Sequence, residues 1–226
     1  MRFLVADTSS SVCGVGVFED DRILSKNELD NGRTHSENFM PLVEKSLKDA
    51  KLSLKDMDCL GVVVGPGSFT GIRIGVASCK AMAEVGKLKL VSIISLETLA
   101  ANEMKETDVI CSLIDARNNQ VYCGIFDGEI NKKEDYIADD INTVLEHLKK
   151  YDNIIFVGDG AVIHHDLIED VLKNKRICFS RNNKQCVDSL GKIVYKKAEN
   201  GDFISADNIV PVYLRKSQAE RLKNSN

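Results

Sequence analysis

Apolar and polar positions change period several times along the 226 residues of the chain. Phe3 to Ala6 and Val12 to Phe18 are short β-rich runs, and the Asp7-Thr8-Ser9-Ser10-Ser11 cluster between them has turn chemistry, so the pattern predicts a hairpin. Arg22 to Leu29 follows as a third strand. The period then lengthens: Phe39, Met40, Leu42, Val43, Leu47 and Ala50 recur every three or four residues and predict a helix over about 36–50. Thr34 with Glu37 reads as its capping box, Ser36 is the rival cap, and Pro41 should bend its first turns. A buried strand over Cys59 to Val64 comes next, then Gly-Pro-Gly-Ser-Phe-Thr-Gly at 65–71, a helix over about 70–86 and a strand over 90–94. This is a β-α-β unit, and it implies a parallel pair within the sheet.

After a short helix near 95–105 the order starts again. Val109 to Ile114 is a strand ending in Asp115, Ala116 to Asn119 is a turn, and Val121 to Phe126 returns. Ile154 to Val157, followed by Gly158-Asp159-Gly160 and a helix through Leu172, echoes the strand that precedes Gly65-Pro66-Gly67. Two ordered copies of a roughly 100-residue unit indicate an internal duplication rather than a solenoid. The expected fold is α/β, with two tandem lobes of mixed sheet and flanking helices: 1–102, then 103–206, with the boundary in the polar stretch near 100–108. A C-terminal helix over about 207–226 is expected to pack back on the first lobe.

Composition narrows the class. With 43% apolar and 28% charged residues and 3 prolines, the chain is globular rather than disordered. A net charge of −4 argues against a chain-wide electrostatic footprint for nucleic acid, while leaving room for a local basic patch. Seven cysteines without a Cys-x-x-Cys pair lie mostly in apolar runs, where they act as small buried hydrophobes in a reducing compartment. No apolar run approaches ~18 residues and no signal peptide is seen, so the expectation is a cytoplasmic protein that does not span a membrane.

Four motifs go together: Asp7-Thr8-Ser9 at the first strand end, His35-Ser36 at a helix start, Gly-Pro-Gly-Ser-Phe-Thr-Gly-Ile-Arg-Ile-Gly at 65–75, and Pro-Val-Tyr-Leu-Arg at 211–215. Together they resemble the TsaB (YeaZ) family, a duplicated member of the actin-like ATPase (ASKHA) superfold. The 65–75 run is specific; Asp-Thr-Ser alone is weak. The resemblance implies two ribonuclease-H-like lobes. It also implies a role in forming N6-threonylcarbamoyladenosine (t6A) at position 37 of tRNAs reading ANN codons. The implied partners are a TsaD-like catalytic subunit and, in a larger complex, a TsaE-like ATPase; a homodimer is expected in isolation, and tRNA contact is indirect or weak.

A phosphotransferase of this superfold places a carboxylate at each hairpin turn to hold Mg²⁺ against phosphates, and Asp7 and Asp115 occupy those places; the simpler reading is two Asx-turn acceptors. Gly65-Pro66-Gly67-Ser68, between a strand and a helix, is either an anion seat or only a tight turn. Gly158 and Gly160 have room for adenosine but lack a longer Gly-Gly run. Asp7, Ser9, Gly65, Gly67, Ser68, Asp115, Gly158 and Gly160 therefore form a candidate nucleotide or anion cleft. No cofactor is required by this reading, and weak ATP or ADP binding stays open. The resemblance implies that the His-x-x-x-His metal pair of TsaD falls here on Ser95 and Leu99, which cannot serve. His35, His147 and His164-His165 are isolated or diverge, and no serine sits in a Gly-x-Ser-x-Gly elbow. Neither a metal site nor a catalytic residue is expected; the alternative is an ATP/Mg-dependent phosphotransferase.

On the 70–86 helix, Arg73, Lys80 and Glu84 fall on one narrow stripe, which leaves a second apolar side. Gly71, Gly75 and Cys79 recur there at four-residue spacing with Ile72, Val76 and Met82 alongside. With Phe39, Met40, Val43 and Leu47 of the preceding helix, they form the expected partner interface, with Arg73 offered to a partner carboxylate. The tail over 215–226 carries four cations against one glutamate. The expected function is thus a non-catalytic partner subunit.

Overall fold

The computed structural model describes residues 1–30, 34–103 and 109–215. β1 (Arg2–Asp7), β2 (Cys13–Glu19) and β3 (Arg22–Leu29) form an antiparallel meander. β4 (Cys59–Gly65) pairs in parallel with β1, and β5 (Lys89–Ile94) in parallel with β4. The second half repeats this with β6 (Val109–Asp115), β7 (Gln120–Phe126), β8 (Ile137–Asp140), β9 (Asn153–Val157) and β10 (Arg176–Phe179). The two sheets run β3-β2-β1-β4-β5 and β8-β7-β6-β9-β10, the same order twice. The duplicated α/β architecture is therefore present.

Strands buried on both sides explain the continuous apolar runs. Along β1, Phe3 and Val5 enter a core between the two sheets, and Leu4 and Ala6 enter the core on the outer side. α1 (His35–Asp49) and α2 (Phe69–Gly86) cover that outer side, setting Phe39, Leu42, Ile72 and Val76 against Leu4, Leu60 and Val62. α3 (Ser95–Ala100) leaves the first half and lies on β6 and β7. α4 (Ile141–Leu148), α5 (Asp159–Ile163) and α6 (His165–Val171) close the far face of the second sheet. α7 (Val187–Glu199) returns to the first sheet, where Val187 and Val194 press against the backbone at Gly16 and Gly61. Each half thus lends a helix to the other half's sheet.

Several local expectations change. Thr34 caps α1 through its carbonyl, which accepts from the N–H groups of Glu37 and Asn38, not through its hydroxyl, so there is no capping box and Ser36 is no cap. Pro41 is inside α1 as expected. The helix expected through Leu172 is two short ones that break at His164. β8, β10, α4 and α7 were not predicted. No helix forms over 207–215: an extended strap bridges Ile204 to Leu90, buries Ile209 in the outer core and donates the Val212 N–H to the Val64 carbonyl at 2.7 Å. The strap packs on the first half, while 216–226 and the 104–108 part of the expected boundary lie outside the described residues. Among the described residues no helix is long and apolar enough to cross a membrane.

Candidate functional site

A cleft of about 840 Å³ opens between the two halves, bounded by the β1–β2 turn, the Gly-Pro-Gly turn, the β6–β7 turn, Asp159 and the strap. Of the candidate cleft residues, Ser9, Gly67, Ser68 and Asp115 line it. Asp7, Gly65, Gly158 and Gly160 are not on its surface.

Both hairpin carboxylates are turned onto their own turns. Asp7 Oδ1 accepts the Ser9 N–H at 2.7 Å, and Asp115 Oδ1 accepts the Arg117 N–H at 3.1 Å, the same two-residue step in each half. Neighbouring amides are occupied too: Asp159 Oδ1 accepts from the Asp115 N–H at 3.0 Å and Asn183 Oδ1 from the Gly158 N–H at 2.9 Å. At the Gly-Pro-Gly turn, the Ser68 N–H donates to the Ser9 carbonyl at 2.7 Å and Ser68 Oγ caps α2 by accepting from the Gly71 N–H at 3.2 Å. Gly67 has φ +154°, and a Cβ there would sit 2.2 Å from the Ser9 carbonyl oxygen. The glycines thus seat one turn on the other, as the tight-turn alternative has it, and the Ser68 and Gly71 amides of the candidate anion seat bond within the chain.

Burial raises the Asp7 pKa, partly offset by hydrogen bonding from Ser9, and Asp7 Oδ2 is buried without a hydrogen-bond partner. Burial likewise raises Asp159 against its backbone hydrogen bonds. These residues fit a Mg²⁺-nucleotide poorly: Asp7 is buried behind its turn, and Asp115 and Asp159 each give Oδ1 to a backbone N–H. No group of three or more His, Cys, Asp or Glu among the described residues forms a metal-binding cluster.

The positions implied to replace a histidine pair have structural work instead. The Ser95 hydroxyl donates to the Pro66 carbonyl, tying α3 to the Gly-Pro-Gly turn, and Leu99 lies in the core between the sheets. His35 Nε2 donates to the Ser10 carbonyl at 2.7 Å, His147 bonds Glu134, and His165 stacks on Phe179 at 4.1 Å.

The expected partner stripe faces inward. A Cβ on Gly71 or Gly75 would lie 2.0 or 2.4 Å from Thr8 atoms, so these glycines let α2 press on its own β1–β2 turn, not on another molecule. Cys79, Ile72, Val76, Met82, Phe39 and Val43 are buried in the same core. Only Met40, half-buried Leu47 and Arg73 of that set reach the surface. What α2 turns outward is another row: Arg73, Ala77, Ala81 and Val85, with Ile74 and Ser78 half-exposed; Met40 and Pro41 of α1 are exposed as well. Val85 is 85% exposed. Arg73 is held within the chain: its Nε donates to the Tyr213 hydroxyl at 2.8 Å and its guanidinium lies 3.9 Å from the centre of the Phe69 ring. Phe69 and Tyr213 stack at 4.6 Å.

Phe69, Arg117, Asp159, Asn183 and Tyr213 were not among the predicted site residues. Tyr213 stands in the Pro-Val-Tyr-Leu-Arg motif, which signals it; Asn183 sits in a polar stretch with no local signal.

The family model for TsaD, described as tRNA N6-adenosine threonylcarbamoyltransferase, matches residues 26–222. The Bacillus subtilis tRNA threonylcarbamoyladenosine biosynthesis protein TsaB is 32% identical over 97% of this chain and 96% of its own. A Pseudomonas aeruginosa structure, described as an uncharacterised protein with similarity to peptidase YeaZ, superposes with a TM-score of 0.78 at 21% identity over 95% of this chain and 99% of that one. A ROK hexokinase from Thermus thermophilus, TM-score 0.53 at 11% identity over 89% of this chain and 100% of its own, shares the fold.

Proposed function

Because the chain belongs to the TsaB family of tRNA threonylcarbamoyladenosine biosynthesis proteins, we propose that it serves t6A formation as a non-catalytic subunit that binds and activates a TsaD-like catalytic partner. The observation that carries this reading is at the cleft: Oδ1 of Asp7, Asp115 and Asp159 and Oδ1 of Asn183 each accept a backbone N–H of the turns around it, so groups that could handle phosphate are engaged in holding the fold. The partner-binding face in this proposal is the outward row of α2 with Met40 of α1, small enough at Ala77 and Ala81 for a second helix to approach closely. In the proposed assembly the chain works in the cytoplasm, a TsaE-like ATPase joins the pair, and without its partner the chain pairs with itself by the same face.

The test is co-purification with the TsaD-like subunit of the same organism, followed by t6A formation on a tRNA transcript. Ala77→Glu with Ala81→Glu should keep the melting temperature while losing both the complex and the activity. Retention of both would overturn the interface. ATP turnover with Mg²⁺ by the chain alone, abolished by Asp7→Asn, would favour a phosphotransferase instead.

A further inference from the structure

We propose that the mouth of the inter-lobe cleft is an RNA-contacting surface, on which an unstacked nucleobase of the tRNA lies against the Phe69–Tyr213 pair while Arg117 and Arg215 meet the adjoining phosphates; this rests on the t6A reading above. Phe69 and Tyr213 are 37% and 41% exposed, unusual for stacked aromatic rings, and both border the cleft. Arg73 stiffens the pair from one side by its hydrogen bond to Tyr213 and its place over the Phe69 ring. Stacked rings beside a guanidinium form a platform that accepts any base by its flat face.

Charge points the same way. Among the described residues Arg2 and Arg22 are ion-paired to Glu19, whereas Arg73, Arg117, Arg176, Arg181 and Arg215 face no carboxylate at ion-pair distance, although the chain is net negative. Arg117 and Arg215 border the cleft on opposite halves of the molecule. The acids that share the cleft, Asp115 and Asp159, are engaged with backbone N–H groups. A cleft of about 840 Å³ suits one splayed nucleotide rather than a duplex.

The experiment uses the complex of the full chain with its TsaD-like partner and an unmodified tRNA transcript, with ultraviolet cross-linking mapped by mass spectrometry and affinity measured at several salt concentrations. Cross-links are expected at Phe69 or Tyr213. Arg117→Glu with Arg215→Glu should weaken tRNA binding by roughly ten-fold or more and lower the salt slope by about 2, one for each phosphate no longer neutralised. Tyr213→Ala should weaken binding by about 5- to 100-fold, and Tyr213→Phe, which keeps the ring, should restore most of it. Unchanged affinity and slope in the arginine variant, or cross-links confined to other faces, overturn the proposal. If that variant instead splits the protein complex, the cleft grips an acidic protein surface and the RNA assignment fails. Should the wild-type chain form no complex, the functional reading fails separately, and the same variants measured on the chain alone at low salt still decide the cleft.

Discussion

The two halves share one strand order, yet they diverge just past the inner parallel strand. After β4 the chain turns through Gly-Pro-Gly into α2, 18 residues long; after β9 it turns through Gly158 into α5 and α6, of 5 and 7 residues. The first half sets a long helix pair against its sheet and leaves an outward row of small side chains on it. The second half spends its surface on an ionic knot, in which Glu134 bonds Lys150, Tyr151 and His147. Strand pairing fixes the shared topology; helix length and surface chemistry separate a half with one long outward helix row from one with short helices and an ionic surface.

The exchange of helices offers the strongest way to break this comparison. Val194 is fully buried beneath β4, and a Cβ on Gly61 would lie 2.3 Å from its methyl carbon. Val194→Asp buries an unpaired carboxylate and should destabilise by about 4 kcal/mol or more. Hydrogen exchange should show reduced protection in β1 and β4, in the opposite half of the chain. If only α7 loses protection, the halves are independent.

A matched pair of alanines sharpens the contrast between the glycine turns. At Gly75 the added carbon would meet Thr8 Oγ1 at 2.4 Å, whereas at Gly160 it would meet Leu113 atoms at 3.1 Å. Gly75→Ala should cost about 1–3 kcal/mol in denaturant unfolding despite better helix propensity, and Gly160→Ala less than about 1 kcal/mol. Equal costs would mean that α2 is no more tightly seated than α5.

Acid should act first on the second half. Burial opposes ionisation of Glu134, but hydrogen bonds from Lys150, Tyr151 and His147 outweigh it and bring its pKa down to about 2. A folded-state value below the ordinary one means that this stabilisation is complete above about pH 4.5 and disappears as the pH falls through about 2. Glu134→Gln should therefore remove about 2 kcal/mol of the stability difference between pH 5 and pH 2. An acid-unfolding curve that does not flatten in the variant would exclude the knot as the cause.

Much of the first half was legible in the sequence because its signals are local: short β-rich apolar runs in β1 and β2, the 3.6-residue period of α1 and α2, and a glycine-rich turn suited to a strand-to-helix junction. The second half was legible only where it repeats those signals. α7 has apolar positions at Val187, Leu190, Val194 and Ala198, a helical period, but nothing local says that this stripe crosses to the other sheet. The inward direction of Gly71 and Gly75 was hidden for a related reason. Small residues at four-residue spacing report a close approach, and composition alone cannot tell whether the approaching atoms belong to Thr8 or to another molecule. Of the eight candidate cleft residues Ser9, Gly67, Ser68 and Asp115 line the inter-lobe pocket, while Asn183 and Tyr213 come from distant stretches that only the fold brings in.

The loan of α7 also sets a timetable for synthesis. When the ribosome has released β1 to β5, one side of that sheet, with Phe3, Val5 and Val91, is still bare, because its cover is encoded beyond residue 186. The nascent first half must wait, greasy and open, until α7 has been made, and a transcript truncated before that point yields a product for chaperones and proteases to clear.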